Sequence, residues 1–306
     1  MYTKVEPFLL YCLSSVHAGS GSEVGIIDLP IQREQHTGFP KIESSSLKGA
    51  IRATAEETNS LNGGDQNQLE LVFGSAPEKS KESSQSQAGA IALSDARILL
   101  FPVKSIRGVF AWVTSPFVLN RFKKEMLMYL TKNSESYKQI EKLAIPNENT
   151  VSSSRLLASG NNIVLEEYTY EVQQETATSE LASQLNSWLF RSMDMNLSEN
   201  LVVLSDDDFT DFVKLSTEVN ARIKINSNTG IVDKGALWYE ENVPAETVFY
   251  SFLFAGNARV LDKEMKEQYS DEWVISYVKS EENIPEVFQL GGNSTLGRGM
   301  LRKVWI

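Results

Sequence analysis

The segment VNARIKIN, residues Val219 to Asn226, alternates without a break: Val219, Ala221, Ile223 and Ile225 fall on one side, Asn220, Arg222, Lys224 and Asn226 on the other. A period of two belongs to a β-strand, whose successive side chains point to opposite faces. The stretch therefore commits the chain to a half-exposed sheet with polar heads. NSNTG supplies its turn, GALWYEE and VFYSFLF continue as strands, and the chain closes with LGGNSTLGRG and the strand-like MLRKVWI.

Other elements are shorter and mixed. Phe8 to Val16 reads as a buried first strand, and a helix starts near Ser45 and Ser46, which are good N-caps for LKGAIRATAEE. RILLFPV and GVFAWVT form a hairpin around Ser105 to Gly108, and Ser115 or Pro116 opens a helix through PFVLNRFKKEMLMYL. Asn161 to Val172 reads as a strand, Ser179 to Arg191 as a helix, Leu201 to Leu204 as a short strand, and SDDDF as an N-cap with an acidic first turn. Asn59 to Gln68 and Ser75 to Gly89 are polar breaks, the second a flexible insert. Helices interleaved with hairpins predict an α+β fold with an antiparallel sheet and no regular parallel βαβ repeat. One domain over 1–306 with inserted loops accommodates all of this.

At 306 residues the chain buries a substantial core without staples, and its single cysteine, Cys12, lies in the apolar run PFLLYCL with no second thiol to pair with. A reducing cytoplasm fits, and no apolar run approaches the ~20 residues of a membrane span. The net charge of −11 argues at first against nucleic acid, which is bound through Lys and Arg. Distribution matters more. Ala96 to Lys124 carries Arg97, Lys104, Arg107, Arg121, Lys123 and Lys124 with no acid, and Val287 to Ile306 carries Arg298, Arg302 and Lys303 with none.

GxSxG, HExxH, paired CxxC and Walker A sequences are absent, which closes the common routes to a hydrolase, metalloprotease or NTPase. Gly19 to Gly25 superficially matches a dinucleotide fingerprint, but IIDLPIQ follows where that motif needs a helix. Glycines there let backbone amides approach phosphates, and GGNSTLGRG, with Gly291, Gly292, Gly297, Arg298 and Gly299, has the same character. Lys48 and Arg52, at i and i+4 near a helix N-terminus, complete a plausible phosphate-tracking groove. Asp28 follows two isoleucines and precedes Leu-Pro, a setting for a carboxylate that binds Mg²⁺ beside a phosphate or orients a 2′-hydroxyl. His17 is its candidate partner in proton transfer, with a structural role as the alternative; His36 is a weaker candidate. Glu240 and Glu241, after LWY, are either metal ligands or an exposed strand terminus.

HAGSGSEVGIIDLPIQREQHTGFPKIESSSLKGAIR, with SDARILLFPVKSIRGVFAWVTSP, LSTEVNARIKIN, GALWYEE and QLGGNSTLGRG, closely resembles the repeated backbone subunit of type III-B CRISPR effectors, the fourth Cmr subunit of the RAMP superfamily. The likeness runs from the first strand to the final glycine loop, with gaps in 59–85, 132–162 and 255–286. It implies a ferredoxin-like (RRM-like) core with insertions, stacked head to tail in a filament beside other Cmr subunits along a guide RNA. A projecting thumb would interrupt the guide–target duplex, while base pairing reads the sequence. The resemblance also implies cleavage of bound target RNA at regular intervals by 2′-hydroxyl attack with a divalent metal, Mg²⁺ or Mn²⁺. Asp28 matches the catalytic, metal-binding aspartate, His17 and Glu240 match positions implicated in cleavage, and Lys48 with Gly291 to Gly299 matches guide-binding elements. A non-catalytic RNA-binding scaffold and a stand-alone processing nuclease for CRISPR transcripts remain the alternatives.

Overall fold

The computed structural model describes residues 2–22, 25–75, 87–190, 195–260 and 267–306. The insert expected over Ser75 to Gly89 lies mostly outside them. The chain opens with β1 (Lys4–Cys12) and β2 (Lys41–Ile42), then α1 (Ser44–Asn62), α2 (Gln66–Phe73), β3 (Ile91–Leu93), β4 (Ala96–Lys104) and β5 (Phe110–Thr114). Helices α3 (Pro116–Tyr129) and α4 (Glu135–Lys142) precede β6 (Thr150–Val151), β7 (Asn162–Leu165), β8 (Tyr168–Glu171) and β9 (Gln173–Gln174). Next come α5 (Thr176–Leu189), α6 (Leu197–Asn200), β10 (Leu201–Val203), α7 (Asp206–Leu215), β11 (Glu218–Ile225), β12 (Val232–Asn242) and β13 (Val248–Ala255). The last elements are α8 (Asp271–Lys279), β14 (Val287–Gln289) and β15 (Met300–Trp305).

The central strands lie in the order β15-β1-β13-β4, and every neighbouring pair is antiparallel. With α1 between β1 and β4 and α8 between β13 and β15, this is the β-α-β-β-α-β order of a ferredoxin-like core. The excursion from β5 to β12 is inserted between its second and third strands. Beyond β4 the sheet continues through β5, β10, β6 and β9, with parallel pairing of β5 to β10 and β6 to β9. The core strands are apolar on both faces: Phe8 to Cys12, Ile98 to Phe101 and Val248 to Tyr250 are all buried. Helix α1 turns Leu47, Ile51 and Ala55 inward at a spacing of four, so one stripe of an otherwise polar helix meets the core.

Several expected boundaries change. Pairing with β13 begins the first strand at Lys4, ahead of Phe8, and ends it at Cys12. Helix α1 starts at Ser44, its first amide taken by the Asp95 carboxylate, so neither Ser45 nor Ser46 caps it. The polar break after it shrinks to the three residues between α1 and α2, where Gly63 takes a left-handed φ of 66°. Asn161 to Val172 is a hairpin, β7 and β8. The β4–β5 hairpin and the Ser115 and Ser205 caps stand where the sequence places them.

The largest change concerns the alternating segment. Strands β11 and β12 pair with each other as a separate two-stranded ribbon. Its apolar side is the outer one, with Val219, Ile223 and Ile225 about half exposed and Leu237 and Tyr239 beside them, while Asn220 and Arg222 are the more covered. The period of two is right, but of the strand's polar heads only Asn220 and Arg222 turn inward, Arg222 to Glu240, while Lys224 stays exposed. Among the described residues, no helix is long and apolar enough to cross a membrane.

Candidate nucleic-acid interface and cleavage site

Strand β12 organises the site. The loop after β1 returns to it twice: Val16 bridges Val243, and Leu29 bridges Glu240 in parallel. In the second contact the Leu29 amide donates to the Tyr239 carbonyl and the Glu241 amide to the Leu29 carbonyl, each at 3.0 Å. Asp28 Oδ2 accepts the Tyr239 amide at 2.7 Å, which orients the carboxylate and leaves it partly open to solvent. Chain folding thus brings Asp28 and Glu240 to the same strand across 211 positions between Asp28 and Tyr239.

Glu240 and Glu241 are 5% and 3% exposed, so the exposed strand terminus is ruled out for both. Glu241 is a latch for the loop. Its carboxylate accepts from the Ile31 amide at 3.1 Å, from Arg33 and from Thr217 Oγ1 at 2.7 Å, binding the segment after Asp28 to the foot of the ribbon. Glu240 Oε1 accepts from Asn293 Nδ2 at 2.6 Å, Asn242 Nδ2 at 3.3 Å and Arg222 at 3.4 Å. Burial works against its charge, but the Asn293 amide, the nearby His17, Asn242 and Arg222 outweigh it and hold the carboxyl below its ordinary value of 4.5.

His17 Nδ1 lies 2.6 Å from the Glu241 carbonyl oxygen. A carbonyl only accepts, so Nδ1 carries a proton, and the lone pair of the ring's neutral form is the one on Nε2. Glycines make room for that ring. A Cβ on Gly19 would stand 2.8 Å from His17 Nε2, one on Gly292 3.2 Å from Cδ2, and one on Gly291 2.3 Å from the His17 carbonyl oxygen. Gly292 N also donates to that oxygen at 3.0 Å. The two glycine-rich loops, distant in sequence, are therefore the walls of one histidine slot.

The remaining candidates are in different states. Gly297 and Gly299 take φ of 72° and 76°; a Cβ on Gly299 would strike the Leu290 carbonyl, whereas Gly297 has open space. Arg298, between them, has a buried terminal nitrogen with no hydrogen-bond partner. Lys48 donates to the Ile91 carbonyl at 3.1 Å, and burial, with Arg52 beside it, lowers its pKa from 10.5. Arg52 pairs with Glu56 at 2.8 Å. Gln32 joins helix and loop, donating to Gly19 O at 3.1 Å and Ser46 Oγ at 3.0 Å while accepting the Glu43 amide. The two acid-free basic segments are partly internal: Arg121 binds Glu34, Lys303 caps the Ile284 and Pro285 carbonyls, and Arg302 is 7% exposed. His36 is exposed, 3.9 Å from Glu34 and apart from the slot's contacts.

Among the described residues, no three His, Cys, Asp or Glu side chains gather as a metal site. Asp28 offers a single partly open carboxylate. That donor set makes no all-protein cage, and it fits only a hard divalent cation taking its other ligands from phosphate and water.

Residues 9–302 match the RAMP superfamily. The chain belongs to that superfamily, among its Cmr4 members. It is 37% identical to the CRISPR system Cmr endoribonuclease Cmr4 of Pyrococcus furiosus over 96% of this chain and 92% of the relative. Crystalline oligomeric Cmr4 from Pyrococcus furiosus superposes with a TM-score of 0.68 at 28% identity, covering 99% of both chains. A chain of the type III-B Cmr-beta complex bound to cognate target RNA gives 0.74 at 25% identity, covering 99% of this chain and 98% of that one. The RAMP match spans the His17 slot, the Asp28 loop, β12 and the C-terminal glycine loop together.

Sequence reasoning missed Asn293, Gln32 and Arg33. Asn293 and Arg33 lie inside stretches singled out for other residues, GGNSTLGRG and IQREQ, and Glu241 was noticed only as Glu240's neighbour. Arg33 acts through a partner 208 positions away and Asn293 through one 53 away, and Gln32 through a helix start and a loop that meet only in the fold, none of which a local pattern encodes.

Proposed function

We propose that this RAMP chain is a guide-RNA-binding backbone subunit of a type III-B effector, an endoribonuclease that cuts the target RNA paired to its guide. The observation that carries the reading is the convergence of Asp28, His17 and Glu240 on the foot of one ribbon, inside a chain similar throughout to a Cmr endoribonuclease.

The exposed apolar side of β11–β12 is the thumb in this reading, because a wedge that separates stacked bases needs an apolar surface facing outward. The Arg298 guanidinium, with a buried donor still unpaired, supplies a phosphate contact to the guide, and Lys48 and Arg52 contribute charge along α1. Base pairing selects the target, so the protein needs no base readout. Self-association head to tail would repeat the site along the guide.

In the cleavage step the target's 2′-hydroxyl oxygen attacks the adjacent phosphorus and the bond to the 5′-oxygen breaks. The products are a 2′,3′-cyclic phosphate and a 5′-hydroxyl. His17 Nε2, its lone pair kept by the Nδ1 bond to Glu241, takes the 2′-hydroxyl proton as the new P–O bond forms, and the departing 5′-oxygen takes up a proton from water. Ionised Glu240 stabilises the imidazolium this produces. Asp28, held by the Tyr239 amide beside Glu240 on the same strand, is the carboxylate this reading assigns to the metal. Bound Mg²⁺ or Mn²⁺, with Asp28 as its ligand from this chain, would neutralise charge on the phosphate.

The test is a reconstituted guide complex carrying Asp28→Ala, assayed with complementary RNA and Mg²⁺ or Mn²⁺. Periodic cutting is expected to vanish with guide binding and assembly intact. Unchanged cutting would remove Asp28 from the mechanism, and cutting that persists and is traced to another subunit would mark this chain as a scaffold. Chelation by EDTA is expected to stop the parent reaction and added Mg²⁺ to restore it.

A further inference from the structure

We propose that Asn293 is a positioning residue for the cleavage pocket, acting through Glu240, so that the loop on the guide side also sets the carboxylate on the target side. The proposal rests on the reading of Glu240 as part of the cutting site.

Three consecutive residues carry the argument. Gly291 and Gly292 close on the His17 backbone, and Asn293 reaches Glu240 Oε1 at 2.6 Å, shorter than the contacts from Asn242 and Arg222 to the same oxygen. One rigid turn therefore touches two members of the pocket. Asn293 itself is held in the left-handed region, φ 63° and ψ 32°, at the start of the single turn Ser294–Leu296. Its carbonyl accepts from the Leu296 amide at 2.9 Å and the Arg298 amide at 3.3 Å. A left-handed backbone is costly for most side chains and tolerable for asparagine. The position thus demands a residue that accepts this backbone and still carries an N–H donor, which excludes glycine on the second count and most polar residues on the first.

The bond also has a direction of influence. An amide donating to an ionised carboxylate fixes its rotamer and favours its charged form. Arg298 lies five residues on in the same loop, with its carbonyl accepting from Gln289 at 3.4 Å and Gln289 also donating to Gly291 O at 3.0 Å. A phosphate drawn to Arg298 would act on a turn whose other end grips Glu240 and His17. Guide occupancy and the geometry of the cutting pocket are then mechanically joined.

The experiment uses the reconstituted complex with guide and cognate target under single-turnover conditions. Asn293→Gly keeps the left-handed turn and removes the amide; Asn293→Asp keeps a tolerant side chain and replaces the donor with a second carboxylate facing Glu240. Both are expected to slow cutting by about tenfold or more, with guide and target affinities within about twofold of the parent, as for a group that acts on the reaction step rather than on binding. In a Glu240→Gln background, Asn293→Gly is expected to add less than about a further twofold, since residues acting as a unit are not additive. Parental cutting by Asn293→Gly, fully additive losses, or a matching loss of guide affinity would each overturn the proposal. If Glu240→Gln alone cuts at the parental rate, the site reading fails and this inference with it; if Glu240→Gln is slow and Asn293→Gly is not, only the inference fails. Should Asn293→Gly not assemble, Asn293→Asp is judged by the same measures. Failure of both to assemble assigns Asn293 to the folding of the loop and overturns the positioning role.

Discussion

His17 depends on a neighbour that has no side chain. Gly19 takes an ordinary φ, so its glycine is required by space rather than by backbone freedom: an added Cβ would stand 2.8 Å from His17 Nε2, the nitrogen assigned to proton transfer in the proposed reaction. Gly19→Ala is therefore expected to reduce target cutting by about a hundredfold, the usual scale for losing acid–base assistance, with guide binding unchanged in a gel-shift assay. Full activity would show that the ring turns aside without cost. Asp28 is the opposite case, a chemical group oriented by a main-chain bond from Tyr239. In the sequence its chemistry is visible and its orientation is not. The glycines around His17 were legible as a need for backbone freedom near phosphate; their contacts assign Gly19, Gly291 and Gly292 to packing against a histidine.

At the scale of elements, the β11–β12 ribbon and the loop it anchors behave differently under substitution. Ile223 and Leu237 are cross-strand partners on the outer side, half exposed and 55% exposed. Replacing both with threonine, which keeps β-propensity, is expected to change chain stability by no more than about 0.5 kcal/mol, as for surface sites generally. Target cutting in the assembled complex should nonetheless fall several-fold, because the wedge has lost its apolar surface. Retained cutting at unchanged spacing would dismiss the ribbon as the thumb. Glu241 at the foot of the ribbon is buried and serves Ile31, Arg33 and Thr217 at once. Glu241→Ala is expected to destabilise the chain by about 3 kcal/mol, since it removes the carboxylate that neutralises Arg33 and leaves the buried Ile31 amide without its acceptor. Chemical denaturation measures the cost, and faster hydrogen exchange at Ile31 would locate it. The alternation of VNARIKIN made the strand certain, but a period of two is the same for a strand whose apolar side faces the core and one whose apolar side faces out. Only the ionised Glu240, pairing with Arg222 on the inner side, decides between them.

Across the whole molecule, charge that looks continuous in sequence is divided between surface and core. Lys303 belongs to the basic C-terminal segment, yet it is 4% exposed and burial pushes its pKa down from 10.5 to about 8, partly offset by Glu281 and Glu286. Between about pH 8 and 10.5 the unfolded chain holds a proton on this group that the folded chain has released, so stability should rise with pH across that window. Lys303→Met is expected to flatten the rise in urea unfolding measured from pH 8 to 10.5; an unchanged slope would place the titration elsewhere. The α+β class, the β4–β5 hairpin and the Ser115 and Ser205 caps were legible, because each is a matter of local period or turn residues. The closing of β15, β1, β13 and β4 into one antiparallel sheet was not, and with it went every distance in the site. By itself the sequence determined which segments form strands and helices and which side chains can exchange protons, bind phosphate or hold a cation. The tertiary structure alone decided that Asp28 docks on Tyr239, that Asn293 grips Glu240, and that two glycine loops nearly three hundred residues apart share one histidine. The physical reason is that these contacts join segments from 53 to more than 200 positions apart, brought together by how the sheet is ordered, while local pattern carries information only about neighbours.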